Sequence, residues 1–357
     1  MSLRHAGKER RPSARATRGL PGLDWLNFFV ADFQTAFGPF ISVYLTNVGW
    51  TQSAIGAALS TGTIASMASQ VPAGALVDAR AFGERLGRNA RYAAIGNAVA
   101  AGVMGACAYY LGDRAVFLFG AALAIPALAA LATLREADTA LLRPSRAASP
   151  PAQARRSHRS LRFLTDRRLF AFAVCAALFH LANAAMLPIT AAAVTKRAGS
   201  EAGLIIAACI VGPQLITALL SPWAGWAAEA WGRRPVLLLG FGSLPIRGFL
   251  LASVADPYLI IAIQLFDGFS AAAFGVLFPL IVADATRETG HYTTCLGLVG
   301  LAIGGGATLS TTAAGLAADH IGFGGALLSL AAVGLCATVL VWALMPETRI
   351  VAERSSQ

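Results

Sequence analysis

Charge is scarce in this chain. Asp, Glu, Lys and Arg make up 13% of its 357 residues, against 56% apolar residues and a mean hydropathy of +0.63. Soluble globular domains carry about 25% charged residues, so this balance excludes that class and leaves an integral membrane protein. No GxxxxGK[ST] phosphate loop occurs, which removes a visible means of using ATP. No clustered His, Asp and Glu and no nucleophile-base spacing stands out, so a membrane-embedded enzyme is not expected. Cysteine is limited to Cys107, Cys175, Cys209, Cys295 and Cys336, all inside apolar runs and without metal-ligand spacing. They read as small residues of the lipid phase or core. The first apolar run exceeds twenty residues and lacks a small-x-small cleavage site close behind it, so it is expected to stay as a helix.

The apolar residues gather into spans of about 20, the length that crosses hydrocarbon as a helix with its backbone internally bonded. Ten are read, near 23–45, 52–77, 92–111, 115–134, 169–194, 203–227, 236–254, 258–283, 292–317 and 322–345. The net charge of +10 belongs to arginines between these spans, so nucleic acid is not an expected partner. Basic residues are retained on the cytoplasmic side during insertion. With the N-terminus inside, 24 of the 28 basic residues fall in inside segments; Arg114, Lys196 and Arg197 fall outside, and Arg247 lies within a span. Both termini are therefore expected in the cytoplasm. Residues 1–22 read as a basic tail and 346–357 as a second tail. Residues 135–168, with nine arginines and Ser-Pro-Pro at 149–151, read as a flexible cytoplasmic linker between halves at 23–134 and 169–345. The linker's charge also favours anionic lipid headgroups.

Between the sixth and seventh spans lies a charged hinge, residues 225–235, Gly-Trp-Ala-Ala-Glu-Ala-Trp-Gly-Arg-Arg-Pro. A helix entering it cannot run through Gly232 and Pro235, so the chain must turn. The spacing Gly225, Glu229, Gly232, Arg233, Arg234 resembles the loop signature of the major facilitator superfamily, which usually appears once in each half of a repeated twelve-helix fold. The other copy opens at Gly74 and Asp78, but Ala-Arg-Ala-Phe at 79–82 replaces the expected glycine and basic pair. Setting Gly74 and Asp78 on Gly225 and Glu229 gives an offset of 151, and aligning Glu84 with Glu288 gives an offset of 204. The difference of about 53 residues is the length of two spanning helices with short connections. The fold expected from the resemblance is an all-α integral membrane protein of two bundles with about ten transmembrane helices, four plus six. The third and fourth of the usual twelve are missing.

Ionisable groups at membrane depth are costly and are functional candidates by default. Asp32 lies nine residues beyond Leu23, about 14 Å deep at the helical rise. On the same helix Asn27 and Gln34, seven apart, form a polar line. In the fifth span His180 and Asn183 share a face, and Pro188 is expected to kink the helix nearby. Imidazole exchanges protons near neutral pH, which suits coupling. In the eighth span Gln264 and Asp267 repeat that spacing, and Arg247 lies at a depth where it can pair with Asp267. For Asp32 and His180 a structural hydrogen-bonding role is the open alternative, and for the Arg247–Asp267 pair a purely structural role stands beside a gating or substrate role. Gly300, Gly304, Gly305 and Gly306 read as a small-residue packing stripe rather than a nucleotide fingerprint. At the hinge, Gly225 is expected to admit a neighbouring helix, Glu229 to meet arginines or a helix N-terminus, and Arg233 and Arg234 to latch the cytoplasmic helix ends.

The resemblance implies a central cavity lined by helices one, five and eight, carrying Asp32, His180, Asn183, Gln264 and Asp267. The expected function is secondary transport of a small organic solute, with proton-coupled drug or metabolite export ahead of uptake. Against export, residues 102–105 lack the glycine-proline element of the family's antiporters. The alternative is a non-transporting relative, motivated by the missing helix pair. No cofactor is expected; the energy source is an ion gradient, protons by preference. The expected partners are the lipid bilayer of the cell membrane and a small-molecule substrate, and no oligomeric state is assigned.

Overall fold

The computed structural model describes residues 25–26, 28–29, 39–74, 83–132, 167–286 and 292–348. Among these residues there is no strand, and the helices follow the apolar spans. In the first half these are α1 (Pro39–Asn47), α2 (Gln52–Gly74), α3 (Gly83–Leu111), α4 (Asp113–Ala122) and α5 (Ala124–Ala132). In the second half they are α6 (Arg167–Asn183), α7 (Met186–Ala198), α8 (Ala202–Ala230), α9 (Arg233–Ser253), α10 (Pro257–Thr286) and α11 (Tyr292–Leu344). Glycines with positive φ mark where spans end: Gly112 at +85°, Gly199 at +53°, Gly232 at +107° and Gly322 at +78°. Gly322 breaks α11 into two passes joined end to end, near the boundary read between the ninth and tenth spans.

Among the described residues, five helical stretches can cross a bilayer by length and composition: Arg167–Ala198, Ala202–Ala230, Arg233–Ser253, Pro257–Thr286 and Thr294–Leu344. The last is long enough for two passes. Ile95–Leu111 and Arg114–Ala130 are shorter apolar helices of the first half. Large apolar side chains point outward as well as inward, with Leu118 73%, Leu219 73% and Trp342 64% exposed. Such an exterior suits a hydrocarbon solvent.

Two of the expected spans are broken. The fourth divides at Leu123 into α4 and α5. The fifth divides at Ala184 and Ala185, because Pro188 has no N–H to offer the carbonyl one turn back. Side chains of other helices bond backbone groups on both sides of the break. Ser310 Oγ accepts from Ala185 N at 3.0 Å, and Ser42 Oγ donates to Pro188 O at 2.9 Å. Non-helical backbone at membrane depth persists where protein supplies such partners.

The halves meet along specific helix pairs. α2 runs beside the first pass of α11, and α3 beside α8. Repeats related by a two-fold axis along the membrane normal pair reciprocally, and α2, second in its half, meets the fifth pass of the other half. α8 is second in its half, so its partner α3 takes the fifth place in the first half. This pairing supports a helix pair lost between α2 and α3, where residues 75–82 lie outside the described residues.

Close approach at these seams depends on small residues. A Cβ on Gly56 would stand 2.2 Å from Thr311 O, and one on Gly306 would stand 2.1 Å from Ala177 O. Gly304 lies against Met67, while Gly305 faces open space. The expected packing stripe is thus used at Gly304 and Gly306.

Candidate functional site: a buried polar network and a charged hinge

The break between α6 and α7 places His180 and Asn183 at the end of a helix in mid-span. His180 Nδ1 lies 3.1 Å from Ala176 O. A carbonyl can only accept, so Nδ1 carries a proton, and when the ring is neutral its lone pair lies on Nε2. The ring sits edge-on to Phe274 at 5.0 Å and tilted to Phe179 at 5.2 Å, which fixes its plane.

Asn183 Oδ1 accepts from Arg247 Nη2 at 2.7 Å. Arg247 Nη1 donates to Asp267 Oδ1, so α9 delivers a guanidinium to an amide on α6 and a carboxylate on α10. Arg247 is 1% exposed, and its charge is compensated by the Asp267 carboxylate, whose side chain remains 27% exposed. A buried cation needs such partners, since desolvation alone costs several kcal/mol. Gly248, next in sequence, lets α9 approach Ala331 and Met186 closely. Gly268, beside Asp267, does the same for α10 against Pro213.

The pairing of Arg247 with Asp267 read from the sequence is therefore formed, and Asn183 joins it. Gln264 is 1% exposed, and neither Oε1 nor Nε2 has a partner among the described residues. An unsatisfied buried amide costs about 1–3 kcal/mol. Asn27, Asp32, Gln34 and Asp78 lie outside the described residues, and Gly74 is the last residue of α2.

At the hinge, Trp231 ends α8 and Gly232 turns the chain at φ +107° into α9. The first backbone N–H groups of α9 meet Glu347: Arg233 N donates to Oε1 at 2.8 Å and Arg234 N to Oε2 at 3.1 Å. A carboxylate there satisfies orphan donors and opposes the helix dipole. The Arg233 side chain, 6% exposed as a residue, reaches Asp284 Oδ2 at 3.1 Å, Glu229 Oε1 at 2.9 Å and Ala228 O at 2.9 Å. Arg234 donates through Nη2 to Trp342 O. The hinge thus ties α8, α9, α10 and the end of α11 together within one half.

The close helix approach expected at Gly225 is not found. A Cβ there would meet Val276 Cγ1 at an ordinary 3.9 Å, because the helix nearest Gly225 presents a side chain rather than backbone. The roles of Asp284 and Glu347 were not read from the sequence. The signal was available, since both are carboxylates just beyond the hinge-side ends of the spans read at 258–283 and 322–345.

Gly232 offers a direct check. A Cβ there would stand 2.4 Å from Glu347 Oε2 at a φ that L-residues avoid. Gly232→Ala is expected to cost about 1–2 kcal/mol, seen as a lower melting temperature of the purified protein, and Gly225→Ala should leave it unchanged.

Residues 169–357 match the sequence profile of the Major Facilitator Superfamily. The MFS-type transporter Rv2456c of Mycobacterium tuberculosis is 32% identical over 389 aligned positions, covering 91% of this chain and 93% of that protein. Since 91% of 357 residues is about 325, about 64 aligned positions have no counterpart here, room for two helices and their connections. The nucleoside transporter NupG has the same fold, with a TM-score of 0.68 at 13% identity over 91% of this chain and 98% of that one. The D-xylose-proton symporter follows with 0.57 at 15% identity over 92% and 88%. On a family match covering more than half the sequence and a relative aligned along nearly all of it, this chain is a multi-pass membrane transporter of the major facilitator superfamily.

Proposed function

We propose that the protein is a proton-coupled secondary transporter that exports a small organic solute across the cell membrane, with the hinge and both termini on the cytoplasmic side. The observation that carries this reading is the Arg247–Asp267–Asn183 network beside His180 at a helix break. Discontinuous helices at the centre of a span are where transporters of this architecture hold substrate and coupling ions. His180 holds its ring proton on Nδ1 against Ala176 O, and Nε2 is the atom that takes up and releases the coupled proton. Asp267 sets the affinity of that neighbourhood for positive charge, and Arg247 is its ion-pair partner. Gln264 supplies an amide without a partner among the described residues, suited to hydrogen-bonding a polar group of the solute. Asp32, read at mid-membrane on the first helix, is the matching carboxylate of the other half. Energy comes from the proton gradient, and no cofactor takes part. A few ionisable groups in an alanine-rich, apolar pathway suit lipophilic or cationic solutes, which favours export over uptake.

Coupling separates from binding in one experiment. In proteoliposomes, Asp32→Asn and His180→Gln should retain solute exchange at equal pH while gradient-driven flux falls at least about tenfold. Gradient-driven flux unchanged by Asp32→Asn would remove that residue from coupling.

The aligned positions missing from this chain favour a second reading, a relative that binds its ligand without moving it. A cavity lacking the wall that the fourth helix would supply opens polar groups to lipid. Ligand binding without any flux would select that reading.

A further inference from the structure

The seam between α2 and α11 ends, on the side away from the hinge, in an arrangement that the transport reading does not use. Asp319 belongs to the second half and α2 to the first. Its carboxylate accepts from two consecutive N–H groups at the start of α2, Gln52 N to Oδ1 at 2.8 Å and Ser53 N to Oδ2 at 2.7 Å. α2 provides no acidic residue in its own first turn, and its local cap, Thr51 Oγ1, takes only the N–H of Ala54 at 3.3 Å, so the first two N–H groups are met by this partner from 267 residues away. Asp256 does the equivalent work for α10 from within its own half, accepting from Tyr258 N at 2.7 Å and Leu259 N at 3.2 Å. The difference is that the Asp319 cap bridges the two bodies that must separate for the cavity to open on that side.

Below the cap the seam stays shut. A Cβ on Gly315 would stand 2.3 Å from Gln52 O. One turn further, Ser60 Oγ lies 2.7 Å from Thr311 Oγ1, 2.6 Å from Thr312 Oγ1 and 2.8 Å from Thr308 O. Contact continues to Met67 against Gly304, about 22 Å of helix from Gln52. α3 and α8 also meet at this same end, where Gly105 lies against Ala207 and Gly203. Apart from the cap, these contacts are uncharged backbone, methyl, hydroxyl and thioether groups.

We propose that Asp319 is a clamp between the two halves: by capping α2 across the seam it holds the transporter closed on the face opposite the hinge, and its release opens that face. The inference rests on the transport reading only in requiring that the halves move, and its test reads access rather than flux.

Ser42 is 1% exposed and lies under the clamp, in a small cavity lined also by Gln52, Pro188, Thr311 and Gly315. Ser42→Cys is placed in a background with the five native cysteines changed to alanine. The protein is reconstituted in phosphatidylcholine-phosphatidylglycerol vesicles and treated with a membrane-impermeant maleimide. A separate His320→Cys protein, exposed beside Asp319, marks which side the clamp faces. From that side, Asp319→Asn should speed labelling of the cysteine at position 42 by about three- to thirty-fold, the range for loss of one helix cap. Ser53→Asp keeps an acidic residue at the start of α2 but sets a like charge against Asp319, and it should speed labelling similarly even if Asp319→Asn folds poorly. Asp256→Asn should leave the rate unchanged. Parental rates in both clamp variants, with the marker labelling normally, would overturn the proposal, as would an equal acceleration by Asp256→Asn.

Discussion

Asp267→Ala is expected to lower the stability of the purified protein by about 3–5 kcal/mol and to abolish transport. Arg247 is 1% exposed and, among the described residues, would keep only the Asn183 amide for its charge. An uncompensated guanidinium in that position is far costlier than the pair it came from. Asp267→Asn should cost less, since the amide oxygen still accepts from Nη1. The decisive variant is the double replacement Arg247→Met with Asp267→Leu, because apolar residues of similar size replace a buried ion pair with little loss and sometimes a gain. It should recover the melting temperature but not the flux. Recovery of both would make the pair a structural strut; recovery of stability alone assigns it to the transport pathway.

The second large effect is expected at Gly306. Its neighbour is the carbonyl oxygen of Ala177, 2.1 Å from where a Cβ would sit, and backbone in a helix cannot step aside alone. Gly306→Val therefore forces α6 and α11 apart along a long shared seam, at a cost of about 1–3 kcal/mol or more. Ala177 is three residues before His180, so the strain reaches the polar network as well as the packing. Gly305→Ala, facing open space, is the matched control and should behave as the parent. Equal melting temperatures for the two variants would contradict the packing described at this seam.

How far these features were legible in the sequence depends on distance along the chain. The hinge was legible because its glycines, arginines and glutamate lie within eleven consecutive residues. The Arg247–Asp267 pair was legible because both sit at a depth that can be counted from one turn. Asn183 joins them from another helix, and no count of residues places it there. The break at Ala184 and Ala185 was readable only as a kink at Pro188; what makes it tolerable, Ser42 and Ser310, comes from other helices. Gly225 looked like a packing glycine by its spacing, yet it meets a side chain at ordinary distance. Asp319 and Gln52 are 267 residues apart, so the cap between them has no local signature at all. The gap in the repeat was read as a length, and the pairing of α3 with α8 is the arrangement that reading expects.

The most direct test is solute movement driven by an imposed pH gradient through the purified full-length chain in proteoliposomes. A panel of lipophilic cations such as ethidium, nucleosides and sugars would be followed with the gradient present and with it collapsed by a protonophore. The account predicts accumulation of at least one solute only while the gradient stands, lost in Asp267→Asn. Folded protein that moves none of the panel, or moves a solute at the same rate with the gradient collapsed, would contradict it.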